Sequence, residues 1–333
     1  MREMLAEIGD EADMPTVRDY LSRFIEEKKG TCSPNTIPSY QVAVDKFMDH
    51  IGGKSDRMLD ELTRTDLLSF RDAQAKVRSP ATVNLCLRVL RMAFRAAREQ
   101  GLLVDPALEL VKGVPKEKAD SKLPAFKVEE IRAILSVADN EWKSLIVFGL
   151  YTGQRLGDLA RLCWRNVDLE KGEIRLTTKK TGRSVVVPMA APLKEHVMKL
   201  PSSDSGDTPL HSRAFARVSK EGKVSSLSRE FGELLAQAGF RTAQTHEGDG
   251  KGRASRHDLK GLSFHSLRRS TVSLLHEAGV SAAVAQEIVG HDNEAVHRSY
   301  IRVGEDALKG GVATLPDITT EPKADEKERP SAE

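Results

Sequence analysis

Residues 113–124 read GVPKEKADSKLP, with two prolines, five charges and no apolar period. Such a stretch cannot bury a face as either a helix or a strand, so it reads as a linker. It obliges the 333-residue chain to fold as two separately cored domains, the number that this length suggests. The two halves differ in pattern, and each is read alone.

The first half is helical. Apolar Val17, Leu21, Phe24 and Ile25 recur at helical spacing between Met14 and Lys29. Ser33-Pro34 has the form of an N-cap with proline at the first helical position, and it opens a second helix through Tyr40, Val44 and Phe47. Thr65 is the expected cap of a third helix, with Leu67, Leu68 and Phe70 turned inward. Ser79-Pro80 repeats the cap-plus-proline start and opens a long helix to about Gln100, ended by Gly101. A four-helix domain at 14–112 follows an acidic segment at 1–13.

The second half, 125–312, mixes elements. Helices are expected at residues 127–138, 141–152, 155–163, 225–239, 265–279, 281–290 and 294–301. Residues 173–178 and 184–188 read as strands around a turn at 179–183. Residues 241–261 are polar, glycine-rich and aperiodic, a loop insertion. The charged, proline-containing tail at 313–333 reads as disordered. The fold class expected is mostly α with a small β-sheet or hairpin in the second domain, an α+β arrangement.

Composition narrows the setting. No apolar run is long enough to span a bilayer, and the acidic N-terminus lacks a signal-peptide pattern. Cys32, Cys86 and Cys163 fit neither a zinc spacing nor a disulfide framework, which points to a reducing cytoplasm. The net charge of +2 hides an uneven distribution. Residues 1–13 carry −4 and 313–333 carry −3, leaving +9 on the body between them. A basic body of this kind is compatible with a polyanionic partner.

Four polar segments stand out: YTGQRLGDL at 151–159, KKTGRSVVVP at 179–188, FHSLRRS at 264–270 and VGHDNEAVHRSY at 289–300. They supply Arg155, Lys180, His265, Arg268, His291 and Tyr300. Each alone is an ordinary surface or packing residue; together they are the set a tyrosine needs to attack a phosphodiester. Its non-bridging oxygens need cationic donors, its leaving oxygen needs a proton, and the phenol must lose one from an ordinary pKa of about 10. Arg155 follows Gly153 at a helix start, where the guanidinium fork and backbone amides both favour an anion. Asp158, three residues on, shares its face and is placed to hold it. His265 and Arg268 share another face, opposite Leu267, Val272, Leu274 and Leu275 on the core side. Arg269 points elsewhere, as a DNA-backbone or surface residue. Lys180 sits at the hairpin tip, and nothing in the spacing chooses it over Lys179. His291 follows Gly290, and Tyr300 lies nine residues later. Tyr20, Tyr40 and Tyr151 fall at apolar periodic positions and read as core.

The order and spacing of these boxes resemble the tyrosine recombinase (phage integrase) family over roughly 14–312. TGQRLGDL is similar to its first arginine box and KKTGRSVVVP to its lysine hairpin, where Lys-Thr-Gly favours Lys180. HSLR matches its His-x-x-Arg box, and Gly290-His291 with Tyr300 its last elements. SPNTIPSY and SPATVNLCLRVLRMAFRAA resemble its helical core-binding (SAM-like) domain. The resemblance implies a site-specific DNA recombinase that needs no metal, ATP or other cofactor. Tyr300 attacks a scissile phosphate and forms a 3′-phosphotyrosine; Arg155 and Arg268 clamp the phosphate, with His291 assisting. Lys180 protonates the leaving 5′-oxygen, and His265 is proton acceptor or hydrogen-bond partner.

The resemblance further implies a two-domain, C-shaped clamp on double-stranded DNA and a homotetramer on paired recombination sites. It leaves room for an accessory directionality protein and places the chain in the cytoplasm, on the nucleoid. Arg78, Thr82, Asn84, Arg88 and Arg91 are the DNA-contact candidates of the first domain. The chain departs from the family pattern in Asp292-Asn293, where a small hydroxyl residue is usual, and in the longer loop at 241–261. The lack of an arm-binding domain ahead of residue 14 suggests a simple recombinase, in integration or excision of a mobile element. A catalytically silent DNA clamp and a topoisomerase-like nicking and resealing enzyme remain as alternatives.

Overall fold

The computed structural model describes residues 14–115, 124–220, 224–240 and 261–290. Its two compact units are Met1–Asp120 and Ser121–Glu333, and each has its own buried cluster.

The first unit is built on α1 (Val17–Thr31), α2 (Ile37–Ile51), α3 (Arg64–Val77) and α4 (Pro80–Glu99). Thr16 caps α1 by accepting from the Asp19 amide, and Ser79 caps α4 as its sequence suggests. Two starts differ from expectation. Ser33-Pro34 forms a turn, closed by the Thr36 amide on the Ser33 carbonyl at 2.8 Å, and α2 begins only at Ile37. The Ser33 hydroxyl meets the Thr36 hydroxyl instead of a helix amide, so no cap forms there. The cap of α3 is Thr63, not Thr65, because Asp66 reaches back to the Thr63 amide and closes a capping box.

The core of this unit is aromatic and aliphatic. The Phe47 ring stands edge-on to Phe70 at 5.3 Å and to Phe94 at 6.0 Å. Along α4, Val83, Leu87, Leu90 and Phe94 are buried, each burial contributing about 1.5–3 kcal/mol. The chain leaving the unit is tied to the helices. Asn84 donates to the Val114 carbonyl at 2.9 Å and accepts from the Val114 amide at 2.8 Å. Arg91 donates to the Val111 carbonyl and Arg71 to that of Lys112. Gly113 lets the chain come this close, since a Cβ there would stand 2.4 Å from the Asn84 side-chain oxygen. Of the residues read from sequence as linker, Val114 is therefore bonded to α4 and Gly113 lies close against it.

The second unit comprises α5 (Val128–Val137), α6 (Asn140–Thr152) and α7 (Leu156–Leu159), then β1 (Val167–Asp168), β2 (Glu173–Thr177) and β3 (Ser184–Pro188). Next come α8 (Ala191–Met198), α9 (Ser212–Lys220), α10 (Ser225–Gln237), α11 (His265–Glu277) and α12 (Ala282–Val289). The strands form an antiparallel sheet in the order β1-β2-β3, with Leu176 paired to Val185 and both turned inward. The fold class is as expected: mostly helical, with one small sheet.

Three elements are additional to the sequence reading: β1, α8 and α9. One is shorter: the helix expected from Arg155 to Cys163 stops at Leu159. Cys163 instead pairs with Pro209, and the Trp164 amide donates to the Thr208 carbonyl. The helix expected at 294–301 and all but the last residue of the insertion expected at 241–261 lie outside the described residues. Among the described residues, no helix is long and apolar enough to cross a membrane.

Candidate active site

Two helices end side by side in left-handed glycines. α6 ends at Gly153 with φ +63°, and α12 at Gly290 with φ +68°. Neither position has room for a side chain: a Cβ at Gly153 would lie 2.6 Å from Val289, and one at Gly290 2.9 Å from Val185. The carbonyls these turns expose converge on Arg268 of α11. Its Nη1 donates to the Gly153 carbonyl at 2.7 Å and its Nη2 to the Gly290 carbonyl at 3.4 Å. Arg268 is only 1% exposed. A buried guanidinium is tolerated here because helix C-termini present unpaired carbonyls and partial negative charge.

Arg155 is the N-cap residue of α7, with its side chain 29% exposed. Asp158 Oδ2 stands 4.0 Å from its Nη1. The other oxygen of Asp158 accepts from the Lys179 amide at 3.0 Å. Asp158 thus joins the arginine turn to the tip of the β2–β3 hairpin, a link its sequence position did not reveal. The hairpin turn is closed by the Gly182 amide on the Thr178 carbonyl at 2.8 Å. It leaves Lys179 and Lys180 exposed.

His265, the first residue of α11, shows that these groups share one site. Its pKa is pushed down to about 4, first by burial, then by the positive charges of Arg269, Arg268, Arg155 and Lys180. A neutral imidazole facing four cations can accept a proton or a hydrogen bond at neutral pH. Arg269, expected as a surface or DNA-backbone residue, is half-buried, with Nη1 3.5 Å from the Pro124 carbonyl. His291 and Tyr300 lie outside the described residues.

The first unit's DNA-contact candidates divide. Arg78 and Arg88 are exposed. The Thr82 hydroxyl meets that of Ser79 at 3.1 Å. Asn84 and Arg91 hold the departing chain, so their polar ends face their own backbone rather than an open surface. One residue beside the site had no role in the sequence reading. Gln154 is buried, and its side-chain oxygen is one of four buried side-chain polar atoms without a hydrogen-bond partner among the described residues. Arg155 Nη1 and Asp158 Oδ2 are two others. The signal that could have drawn attention to it is its place between Gly153, which ends α6, and Arg155.

The model of the phage integrase family matches residues 124–306. The chain is 25% identical over 287 residues to tyrosine recombinase XerA of Pyrococcus furiosus, covering 84% of this chain and 87% of that protein. It is 24% identical over 258 residues to the integrase of Escherichia phage lambda, covering 74% and 65% of the two chains. Among solved structures, a lambda integrase dimer bound to a COC′ core site superposes with a TM-score of 0.69 at 20% identity, over 90% of this chain and 81% of that one. The Tn1549 transposon integrase in complex with transposon right end DNA gives 0.65 at 17% identity, over 90% and 99%. The chain belongs to the phage integrase family, and it is a tyrosine-type site-specific recombinase, an enzyme that cleaves and rejoins DNA.

Proposed function

We propose that this chain exchanges strands of double-stranded DNA through a phosphotyrosine at Tyr300, using Arg155, Lys180, His265, Arg268 and His291. The observation that carries the reading is the buried Arg155 Nη1, which has no hydrogen-bond partner among the described residues, Asp158 Oδ2 standing 4.0 Å away, and which belongs to one of the cations acting on His265. A non-bridging phosphate oxygen would satisfy that donor. A second, on the side of Arg268, would complete a clamp on the charge that builds up as the phenol attacks. The Tyr300 oxygen bonds to phosphorus as the 5′-oxygen departs. Lys180 gives the departing oxygen its proton, and neutral His265 accepts the phenolic proton or hydrogen-bonds the attacking group. A partner strand's 5′-hydroxyl then attacks the phosphotyrosine, restores the phosphodiester and frees Tyr300.

The helical unit at 14–112 binds the same DNA as the catalytic unit at 125–312, with exposed Arg78 and Arg88 as phosphate contacts. Strand exchange requires four protomers on two sites. This agrees with a structural relative's being a lambda integrase tetramer bound to a Holliday junction. The relatives include a phage and a transposon integrase, which favours service to a mobile element.

The test is covalent capture. Purified protein is mixed with fragmented source DNA carrying its own locus, then denatured; the attached DNA is sequenced and the linked peptide mapped. Linkage through Tyr300 at one recurrent sequence is expected. Tyr300→Phe should bind the same fragment and form no adduct; an adduct surviving in that variant overturns the nucleophile assignment.

A further inference from the structure

Gln154 Nε2 is directed at carbonyl oxygens. It lies 3.1 Å from the Thr152 carbonyl in its own turn, 3.2 Å from Ile288 and 3.3 Å from Val289. Three carbonyls around one atom fix the amide's orientation, because turning it over would place oxygen against oxygen. The last carbonyls of a helix have no partner within it. At the end of α12, those of Ile288 and Val289 are met by Gln154 and that of Gly290 by Arg268. The C-terminus of α12 is thus held by the residue next to Arg155 and by Arg268 itself. From Gly290 the chain continues directly into His291.

We propose that Gln154 is a positioning residue for the reaction, acting through His291. By bonding the end of α12 to the Arg155 turn, it sets the point from which His291 departs relative to the two arginines. This rests on the phosphotyrosine reading above. A residue that only tied α12 to the core would affect stability but would not be coupled to His291.

Two measurements test this. Gln154→Met keeps the volume and removes the donors. On the DNA fragment that the wild type captures covalently, the variant should form adduct on the order of tenfold to a hundredfold more slowly at saturating protein, since misplacement of a catalytic group is that harmful. DNA affinity should be unchanged. In a His291→Ala background the same substitution should cost less than about twofold, because interacting residues are not additive. Equal slowing in both backgrounds, or none in either, overturns the proposal.

The second measurement needs no DNA. The Gly290 amide, bonded to the Gln286 and Glu287 carbonyls, should exchange hydrogen faster in Gln154→Met, and unchanged exchange overturns the clasp. Faster exchange in a protein whose wild type forms no Tyr300 adduct refutes the chemistry, and with it the catalytic role, while leaving the clasp in place. Gln154→Leu, which also lacks donors, is read in its place should the methionine variant not fold.

Discussion

The two units bury different things. In the helical unit the largest fully buried side chains include Tyr20, Phe24, Phe47, Phe70 and Phe94; among the described residues of the catalytic unit the largest is Arg268. The first interior follows hydropathy, as expected where only stability is required. The second encloses a cation and surrounds it with helix ends whose carbonyls need donors. Burying a charge is expensive unless it is paired and hydrogen-bonded, so this interior departs from hydropathy at the residue assigned to the phosphate.

Arg268→Met strikes hardest at that contrast. It should slow adduct formation on the order of a hundredfold to a thousandfold. It also leaves the Gly153 and Gly290 carbonyls without their donor, at about 1–3 kcal/mol each. Single-turnover capture and chemical denaturation read the two effects, and near-normal cleavage would break the contrast.

Phe47→Ala is the counterpart in the other interior. It should remove about 3–5 kcal/mol from the helical unit, read by hydrogen exchange resolved by unit. An equal loss in the catalytic unit would show that the two cores are not independent.

Acidity should separate them more gently. His265 and His211 of the catalytic unit are both held down to about 4, each first by burial. Below their ordinary value of 6.5 the unfolded chain takes up protons that the folded one refuses. Their contribution is therefore complete above pH 6.5 and is lost as pH falls from 6.5 to about 4. In the helical unit Glu109 is held below the usual carboxylate range by the Arg98 hydrogen bond, which defers its own loss to lower pH. Urea midpoints followed by unit across that window should fall first in the catalytic unit. A simultaneous fall would remove the distinction.

The smallest effects lie on α4. Asn84→Ala should free the Val114 amide, at about 1–3 kcal/mol, and leave the salt dependence of DNA binding unchanged. Arg88→Ala should leave stability alone and reduce the salt slope by about one. If the two outcomes were exchanged, the division of α4 into a clasp and an exposed phosphate face would be wrong.

The periodic parts of the fold were legible in the sequence. Ser79-Pro80 opens α4 as read, and the hairpin turns where Lys179–Arg183 suggested. The elements that escaped are short. α8 buries only Leu193 and Val197, and β1 has two residues, too few to establish a period. Within the candidate site, Arg155, Lys180, His265 and Arg268 could be singled out as candidates because each carries a charge or a ring that the proposed chemistry needs. The burial of Arg268 could not, since that depends on two glycine carbonyls far away in sequence. Asn84 was misplaced for a related reason. A polar residue on an outer helix face reads the same whether it meets DNA or its own backbone.

The two carbonyls that hold Arg268 come from residues 115 positions before it and 22 after it. A chain emerging from the ribosome therefore carries this arginine for some time before its second anchor has been synthesised. Until residue 290 is out, the guanidinium has no finished seat. On the proposed chemistry, the second anchor of this arginine and the tyrosine at position 300 are both translated after it, and cutting can precede neither.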